Sequence, residues 1–404
     1  MKRIAALLIT LSLACTSLFA KGFFESRFFE TRVSVPFGVS NNVFALNDVM
    51  KEVVVIDLKE ISENLVNDGF VLDVFAQPSV GFNFNILGVT VGVNAGVDTS
   101  GQIALSRGIF DFLGKGLKVN ETLDISVSPS VDIFAFGEVN FGLSLSRLSL
   151  YVRPAAFAPI ITTAGSSGGV KITNKDDGSI ILDLGAKVDV YSPLDFSNGM
   201  DSLSNIDPMQ IENEIVNNMG FDVAMGASLP LSRQLVVSAD VRLPMVPATI
   251  NNKFAMNFES HTELSAETLK DFKFEQPEPK ITGESNLNYK VHRPMKLMVY
   301  GDYYPLGNFI DLRAGAGMGL YHPFMDTSIP YLQYYLGATA NLIGILKLSL
   351  STEYTDRVFI HQLGTVFSLR FIEVDTGLSI QSSDFAKSFQ VSGLGGYVVF
   401  CMGF

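Results

Sequence analysis

The sequence predicts an all-β protein, a transmembrane antiparallel β-barrel of about 14–16 strands with a small helical insert near the N-terminus. Three observations predict this fold. Apolar residues alternate with small or polar ones along many segments of about ten residues, the length that a tilted strand needs to span a bilayer. Charged residues are only 17% of the chain, against about 25% in typical soluble proteins. The sequence also ends at Phe404 in a strand pattern without charge.

The first twenty residues have the pattern of a secretory signal peptide. A basic pair precedes the apolar run 4–14, which is too short to cross a bilayer, and cleavage is expected after Ala20. In the competing interpretation this is a lipoprotein signal and Cys15 is acylated. Residues 21–404 then form the barrel, with one thiol at Cys401 and no intramolecular disulfide. No later run of 18 apolar residues predicts a transmembrane helix.

Strand patterns recur along the rest of the chain. The first covers residues 28–39, and a long hairpin of residues 70–86 and 89–105 turns at Leu87-Gly88. Asp176-Asp177-Gly178 is a second hairpin signal. Near Arg147 the alternation slips by one residue, which indicates a bulge or a tight turn. Further strands are expected at 123–135, 139–145, 181–191, 221–229, 235–243, 254–262, 297–304, 310–320, 331–342, 345–354, 363–371, 376–381 and the terminal strand.

Residues 42–68 interrupt the strand pattern and predict a helical insert. Its apolar residues recur at helical spacing, and the candidate ligand contacts are Leu46, Val49, Met50 and Val53. If the insert folds into the lumen, its apolar face would favour a hydrophobic ligand over ions. In a second interpretation the insert packs on inward-pointing apolar residues and only closes the pore, and in a third it is an ordinary surface helix.

Three other segments are expected outside the strands. Residues 106–118 form a short helical or loop excursion, and residues 192–218 form a long loop with a possible helix at 209–216. Residues 263–284 are the most charged stretch and are expected to be a solvated loop. Loops of this length are often where barrel proteins carry their interactions.

The terminal strand has two distinct faces. Phe404, Met402, Phe400 and Val398 share one face, and Tyr397 begins the other, because strand side chains alternate with period two. The pattern resembles the C-terminal assembly signal of bacterial outer-membrane barrels, which the barrel-assembly machinery recognises. The residues of this expected signal are Tyr397, Val398, Phe400, Met402 and Phe404.

Composition and motifs argue against several other functions. A net charge of −12 argues against a nucleic-acid partner, which would need a basic surface. The histidines, at 261, 292, 322 and 361, lack the spacing of metal ligands. No nucleophile-elbow motif is present. We therefore expect no enzyme activity, no cofactor and no metal.

The chain resembles the FadL-type group of long-chain fatty-acid transporters in outer membranes. The resemblance is carried by the signal peptide, the length, the helical insert before the long hairpin, the strand pair GFDVAMGASLPLSRQLVVSADVRLP (Gly220 to Pro244) and the Phe-terminated strand. It implies about fourteen strands, an N-terminal plug and diffusion of hydrophobic molecules. This chain departs from the family pattern in two ways: no Asn-Pro-Ala motif follows the cleavage site, and a strand precedes the insert.

The expected function is that of a channel in the bacterial outer-membrane bilayer that admits hydrophobic small molecules such as long-chain fatty acids by diffusion. One alternative is a general porin for polar solutes. Another is a surface structural or adhesive barrel that acts through loops 192–218 and 263–284. The sequence does not predict an oligomeric state. Trp is absent, so aromatic belts at the membrane interfaces must be built from Phe and Tyr.

Overall fold

A computed structural model describes most of the chain. The described residues are 27–45, 58–65, 69–145, 148–163, 166–193, 213, 216–264, 280–307, 309–324, 328–369 and 371–404. The expected signal peptide, Cys15 and most of loops 192–218 and 263–284 lie outside them. The four candidate ligand contacts of the insert also lie outside them, namely Leu46, Val49, Met50 and Val53.

The described residues contain twenty-one strands. Nineteen form one sheet in which every pairing is antiparallel, and the other two pair as a separate short ribbon. The strands are β1 (Phe29–Asn41), β2 (Phe70–Ala76), β3 (Ser79–Ile86), β4 (Val89–Leu105), β5 (Glu121–Leu145), β6 (Leu148–Thr162), β7 (Ser167–Asn174), β8 (Ile180–Ser192), β9 (Gly220–Pro230), β10 (Leu235–Val246), β11 (Ala248–Ile250), β12 (Asn252–Leu264), β13 (Lys280–Glu284), β14 (Tyr289–Val291), β15 (Met295–Tyr303), β16 (Ile310–Tyr321), β17 (Ile329–Asn341), β18 (Leu346–Thr355), β19 (Val358–Ser368), β20 (Ile372–Ser382) and β21 (Gly393–Gly403).

Several strands lie end to end and make a single pass through the barrel wall. This holds for β2 with β3, β6 with β7, β8 with β9, β10 with β12, and β13 with β15. With these joined, the described strands make fourteen passes. The last strand, β21, pairs with β1 from Glu30–Gly403 to Ser40–Gly393 and closes the sheet. The predicted barrel of about 14–16 strands is confirmed.

The terminal strand shows the two faces that the sequence predicts. Val398, Phe400 and Met402 are exposed on the outside, whereas Tyr397 and Cys401 are buried on the inside. Outward residues of the neighbouring β1 are likewise apolar and exposed. A contiguous apolar exterior of this kind is typical of a barrel that lies in lipid.

The two ends of the barrel differ in the length of their connections. At one end, which we call the short-turn end, the connections are residues 87–88, 146–147, 231–234, 304–309, 342–345 and 369–371. Arg27 and Phe404 lie at the same end, where Phe29 and Phe404 exchange backbone hydrogen bonds of 3.1 Å. The opposite long-loop end carries the longer links 42–69, 106–120, 265–279 and 383–392, together with the shorter turns 175–179, 322–328 and 356–357.

The wall is not equally tall around the barrel. Strand β5 has 25 residues, whereas β18 has 10. The sequence predicts two strands at 123–135 and 139–145 in place of β5, and this is wrong. Phe136 and Glu138 continue the ladder against Gly96 and Asn94 of β4. The ladder between β4 and β5 therefore continues through the residues that the sequence pattern assigned to a break between two strands.

Two other expectations need correction. The charged stretch 263–284 is not all loop, because β13 pairs its last five residues with β12. Strand β19 begins at Val358, earlier than the predicted residue 363. The two residues before it, Asp356 and Arg357, have φ values of 50° and 69°. Positive φ at both centres is the geometry of a tight two-residue hairpin, so β18 and β19 pair right up to the turn.

The three described helices are α1 (Leu58–Asn64), α2 (Gly108–Lys115) and α3 (Phe385–Ser388). Helical character within residues 42–68 and within 106–118 is thus confirmed for α1 and α2. The two helices pack on each other at the long-loop end, where Leu65 and Phe110 are buried together with Val43. None of the described helices is long and apolar enough to cross a membrane.

We expect Phe110→Ala to loosen the α1–α2 pair without unfolding the barrel. Phe110 is 7% exposed and contacts the ring of Phe70 with a centroid separation of 6.4 Å, and truncating a buried Phe costs about 3–5 kcal/mol. Limited proteolysis should cut near α1 faster in this variant, while the barrel stays resistant. Leu113→Ala is the matched control, because Leu113 lies on the same helix but is 55% exposed. Equal cleavage rates in both variants would contradict this packing role.

Candidate functional site

The candidate site is a cavity of about 410 Å³ in the barrel lumen. Side chains from opposite sides of the wall line it, because alternate residues of every strand point inward. Tyrosines and charged groups dominate the inward positions. They include Tyr151, Tyr300, Tyr335, Tyr397, Arg153 and Lys296.

The tyrosines lie across glycines of the neighbouring strands. A Cβ atom at Gly315 would overlap the ring of Tyr300, and one at Gly377 would overlap the ring of Tyr397. Glycine is needed at both positions because a side chain there would push the ring away from the wall. The hydroxyl of Tyr397 donates to Asp375 at 2.8 Å. The rings are therefore held against the wall as a fixed aromatic lining.

The first charged pair of the lumen lies on β5 and β6. Arg153 Nη1 donates to Glu138 Oε1 at 3.2 Å, and Asn94 Nδ2 donates to the same oxygen at 2.7 Å. The guanidinium of Arg153 also lies 4.6 Å from the centre of the Tyr151 ring. Glu138 is only 5% exposed. A buried carboxylate needs such partners, because an unpaired one is costly.

Other lumen charges are paired in the same manner. Lys296 Nζ lies 3.0 Å from Asp356 Oδ1. Arg313 Nε lies 3.5 Å from Asp302 Oδ1, and the Arg313 guanidinium is 4.2 Å from the centre of the Tyr300 ring. Cation and carboxylate thus lie side by side at inward positions of the wall, and the Lys296–Asp356 pair lines the cavity itself. The cavity presents tyrosine rings and paired charges to whatever enters it.

A two-stranded ribbon occupies the lumen beside this cavity. Strands β11 and β14 pair over three residues, from Ala248–Val291 to Ile250–Tyr289. All of Ala248, Ile250 and Val291 are at most 1% exposed. They pack against inward-facing aromatic side chains of the wall, which are Phe134, Phe136 and Phe157. The ribbon is therefore an apolar body inside the barrel.

Arg293 lies directly after the ribbon and is completely buried. Its Nη1 donates to Asp222 Oδ2 at 3.2 Å, and its Nη2 donates to Asp98 Oδ2 at 3.3 Å. Its guanidinium carbon is 3.9 Å from the centre of the Phe136 ring. Asp98 also lies 4.0 Å from Arg242 Nη1. The cation that follows the ribbon thus joins two carboxylates of the wall.

Sequence reasoning missed the ribbon and Arg293. Two strands of three residues are too short for a periodic pattern. The partners of Arg293 are 71 and 195 residues away, so no local motif marks them. The available signal was proline, since Pro247 and Pro294 interrupt apolar segments at the points where the chain leaves the wall.

The sequence-predicted site residues fall into two groups. The ligand contacts expected at Leu46, Val49, Met50 and Val53 lie outside the described residues and stay a prediction. The terminal-strand residues lie on the wall, with Tyr397 facing the lumen. Within the described ranges, no group of three or more His, Cys, Asp or Glu residues could hold a metal ion.

A small polar cluster lies at the turn between β7 and β8, at the long-loop end. Lys175 Nζ donates to Glu263 Oε1 at 2.6 Å and so joins this turn to β12. The hydroxyl and the backbone N–H of Ser179 donate to Asp177 Oδ1 at 2.6 and 2.9 Å. These hydrogen bonds lower the pKa of the Asp177 carboxyl. All the partners of Asp177 are local, so the cluster is explained by turn formation.

Comparison with known proteins shows similarity in structure only. No protein-family model matches the chain, and no curated protein matches it in sequence. A solved TodX deltaS2S3 mutant, described as a monoaromatic hydrocarbon channel, aligns with TM-score 0.50 and 9% identity over 94% of this chain and 92% of that one. The toluene transporter TodX of P. putida aligns with TM-score 0.48 and 9% identity, over 95% and 91%.

A third solved structure is a FadL homologue from Pseudomonas aeruginosa. It aligns with TM-score 0.41 and 11% identity over 94% of this chain and 90% of that one. At such identities the likeness concerns fold and not activity. The alignment with the first of these channels extends over nearly the whole of both chains. The chain therefore shares the overall β-barrel fold of that channel.

Proposed function

We propose that this protein is an outer-membrane channel through which small hydrophobic molecules, such as long-chain fatty acids, diffuse. The observation that carries the proposal is the internal pairing of the lumen charges. Pores that select ions commonly present rings of charge to the passing ion. Here Arg153 and Lys296 of the lining each have a carboxylate partner. The lining that a solute meets also includes the rings of Tyr151, Tyr300 and Tyr397.

The apolar body inside the lumen adds a second support. A polar-solute porin holds a water-filled channel, whereas here the ribbon and the wall aromatics Phe134, Phe136 and Phe157 bury apolar surface inside the barrel. The hydrocarbon and toluene named for the solved barrels of similar fold belong to the same chemical class of ligand. A hydrophobic solute is the cargo that both features favour.

We place the barrel in the bacterial outer membrane with the short-turn end toward the periplasm. Outer-membrane barrels have short periplasmic turns and longer extracellular loops, and the links 42–69 and 265–279 both lie at the long-loop end. In this orientation Phe404 is periplasmic. The residues Tyr397, Val398, Phe400, Met402 and Phe404 are then available to the assembly machinery from the side on which barrels are assembled.

We further propose that the insert 42–68 receives the ligand at the long-loop end. Its described part, α1, packs beside α2 at this end of the barrel. Leu46, Val49, Met50 and Val53 would supply the apolar contacts that a fatty-acyl chain needs, because burial of such chains contributes about 0.8 kcal/mol per methylene.

The test is binding of a fluorescent long-chain fatty acid to the refolded, detergent-solubilised barrel and to a variant that lacks residues 42–68. We expect saturable binding that the deletion weakens by roughly tenfold, a loss of about 1.4 kcal/mol. Deletion of residues 265–279, another long-loop link, is the matched control and should leave binding unchanged.

The opposite results would identify the other functions. No saturable binding to either form, together with rapid uptake of small sugars by liposomes that carry the protein, would overturn the proposal in favour of a porin. Binding that is lost equally in both deletions would assign the effect to damage at the long-loop end and remove the specific role of the insert.

A further inference from the structure

We propose that the ribbon β11–β14 is the plug of this lumen, and that Arg293 is the positioning residue that holds it closed. The inference deepens the proposed channel function and rests on it, because a plug has meaning only if something passes through the barrel. It assigns closure to a segment in the middle of the chain, separate from the insert 42–68.

The ribbon interrupts two passes of the wall: β11 lies between β10 and β12, and β14 lies between β13 and β15. Strands β10 and β15 pair in the wall as far as Arg242–Lys296, and β12 and β13 pair from Lys253–Glu284 onward. Between these two stretches both passes leave the wall, and their residues pair with each other as the ribbon. The ribbon has only three residue pairs, so it can move relative to the wall while the hydrogen-bond ladders on either side of it stay intact.

The side-chain contacts of the ribbon with the wall are mainly apolar, and the backbone N–H of Thr249 in β11 donates to the carbonyl oxygen of Asn218, just before β9, at 3.0 Å. Ala248, Ile250 and Val291 face Phe134, Phe136 and Phe157. Tyr289 of the ribbon stacks on Tyr191 of β8 with ring centres 4.0 Å apart. Apolar contacts have little directionality, so they hold the ribbon inside the lumen but do not fix one position.

Arg293 supplies the directional side-chain contact. Its two terminal nitrogens reach carboxylates on two different passes, Asp98 on β4 and Asp222 on β9. Asp222 is 1% exposed and cannot exchange its partner for bulk water while the ribbon is in place. The rigid fork of a guanidinium suits two acceptors, whereas a lysine ammonium would act as a single point charge. Replacement of the Arg293 guanidinium therefore favours displacement of the ribbon from the wall.

The first test is the single-channel conductance of Arg293→Met in planar bilayers with KCl. We expect a severalfold higher conductance than in the unaltered protein, and an intermediate value for Arg293→Lys, which keeps the charge without the fork. Lys347→Met is the control. Lys347 is also partly buried and lies 4.0 Å from Glu373 near the short-turn end, away from the ribbon. Its conductance should stay unchanged.

The second test follows the ribbon itself by thiol labelling. Ile250, which is 1% exposed, is replaced by Cys in a chain whose two natural cysteines are Ser. A membrane-impermeant maleimide should label this thiol roughly tenfold faster when Arg293 is Met, since only a displaced ribbon exposes it. Phe157→Ala, which removes apolar contact on the wall side, is a second route to the same release if Arg293→Met folds poorly.

Unchanged conductance and unchanged labelling in folded variants, as judged by the heat-dependent gel shift of barrels, would overturn the inference. Faster labelling without higher conductance would also overturn it, because the ribbon would then move without closing anything. Both measurements use ions or a maleimide, so they do not depend on the hydrophobic cargo. Opening of the pore without any fatty-acid binding would refute the proposed function and leave the plug intact.

Discussion

A chain that lacks residues 393–404 is expected to fold into a closed barrel at less than about a tenth of the yield of the full chain. Strand β21 pairs with β20 on one side and with β1 on the other. Its removal leaves two unpaired edges inside lipid, where each unsatisfied backbone group costs several kcal/mol. The folded fraction is measured by the heat-dependent gel shift after refolding into detergent or liposomes.

Two comparison variants separate closure from recognition by the assembly machinery. Deletion of residues 265–279 removes a segment of similar length from the long-loop end and should keep the yield. Phe404→Ala should refold normally in vitro, because its exposed ring lies beside Phe28 and Phe29 at the rim of the wall. It should nevertheless lower the amount of barrel in cells. A truncated chain that refolds as well as the full chain would show that β21 does not close the wall.

Arg153→Met is expected to lower the free energy of unfolding by about 3–5 kcal/mol, because it leaves the Glu138 carboxylate buried without its cation. The effect is measured by urea unfolding of the refolded barrel, followed by tyrosine fluorescence. The double variant Glu138→Gln/Arg153→Met should recover much of the loss, since a neutral amide needs no counter-ion.

Lys171→Met is the control for Arg153. Lys171 lies 4.0 Å from Asp124, and both side chains are more than half exposed; such surface pairs contribute about 0–1 kcal/mol. If Arg153→Met were no more destabilising than Lys171→Met, the Arg153–Glu138 pair would not be a structural element of the lumen. If the double variant were as unstable as Arg153→Met, the loss would come from packing against Tyr151 instead.

The sequence predicted the parts of the fold that depend on local pattern. The alternation of Val398, Phe400 and Met402 identified the outward face of β21, and Leu87-Gly88 identified a hairpin turn, where both residues have positive φ. Each signal lies within a few neighbouring residues. Period two and turn chemistry decide such features before any distant contact forms.

The lumen could not be predicted in the same way. Arg293 and Asp98 meet because the barrel closes, and nothing near either residue in the chain marks the other as its partner. The sequence pattern also ended one strand at residue 135 and began another at 139, whereas β5 continues through Phe136 and Glu138. Phe136 packs with the ribbon and Glu138 pairs with Arg153 inside the barrel. These contacts depend on the tertiary structure.

The insert illustrates a prediction of intermediate quality. Its helical spacing was sufficient to predict α1, because Leu58, Ile61 and Leu65 follow the same period. The partner of the helix, α2, was predicted as a short helical or loop excursion, without any indication that it packs on α1. Apolar residues at helical spacing show that one face of the helix packs against another element, but they do not identify that element.

The unequal height of the wall affects how molecules reach the entrance. The difference between β5 and β18, 25 residues against 10, is roughly 50 Å of strand at about 3.3 Å per residue. The barrel wall is therefore high on the side of β5 and low on the side of β18. With the long-loop end facing outward, as proposed above, a solute that reaches the barrel from the β18 side would meet a lower wall than one that reaches it from the β5 side.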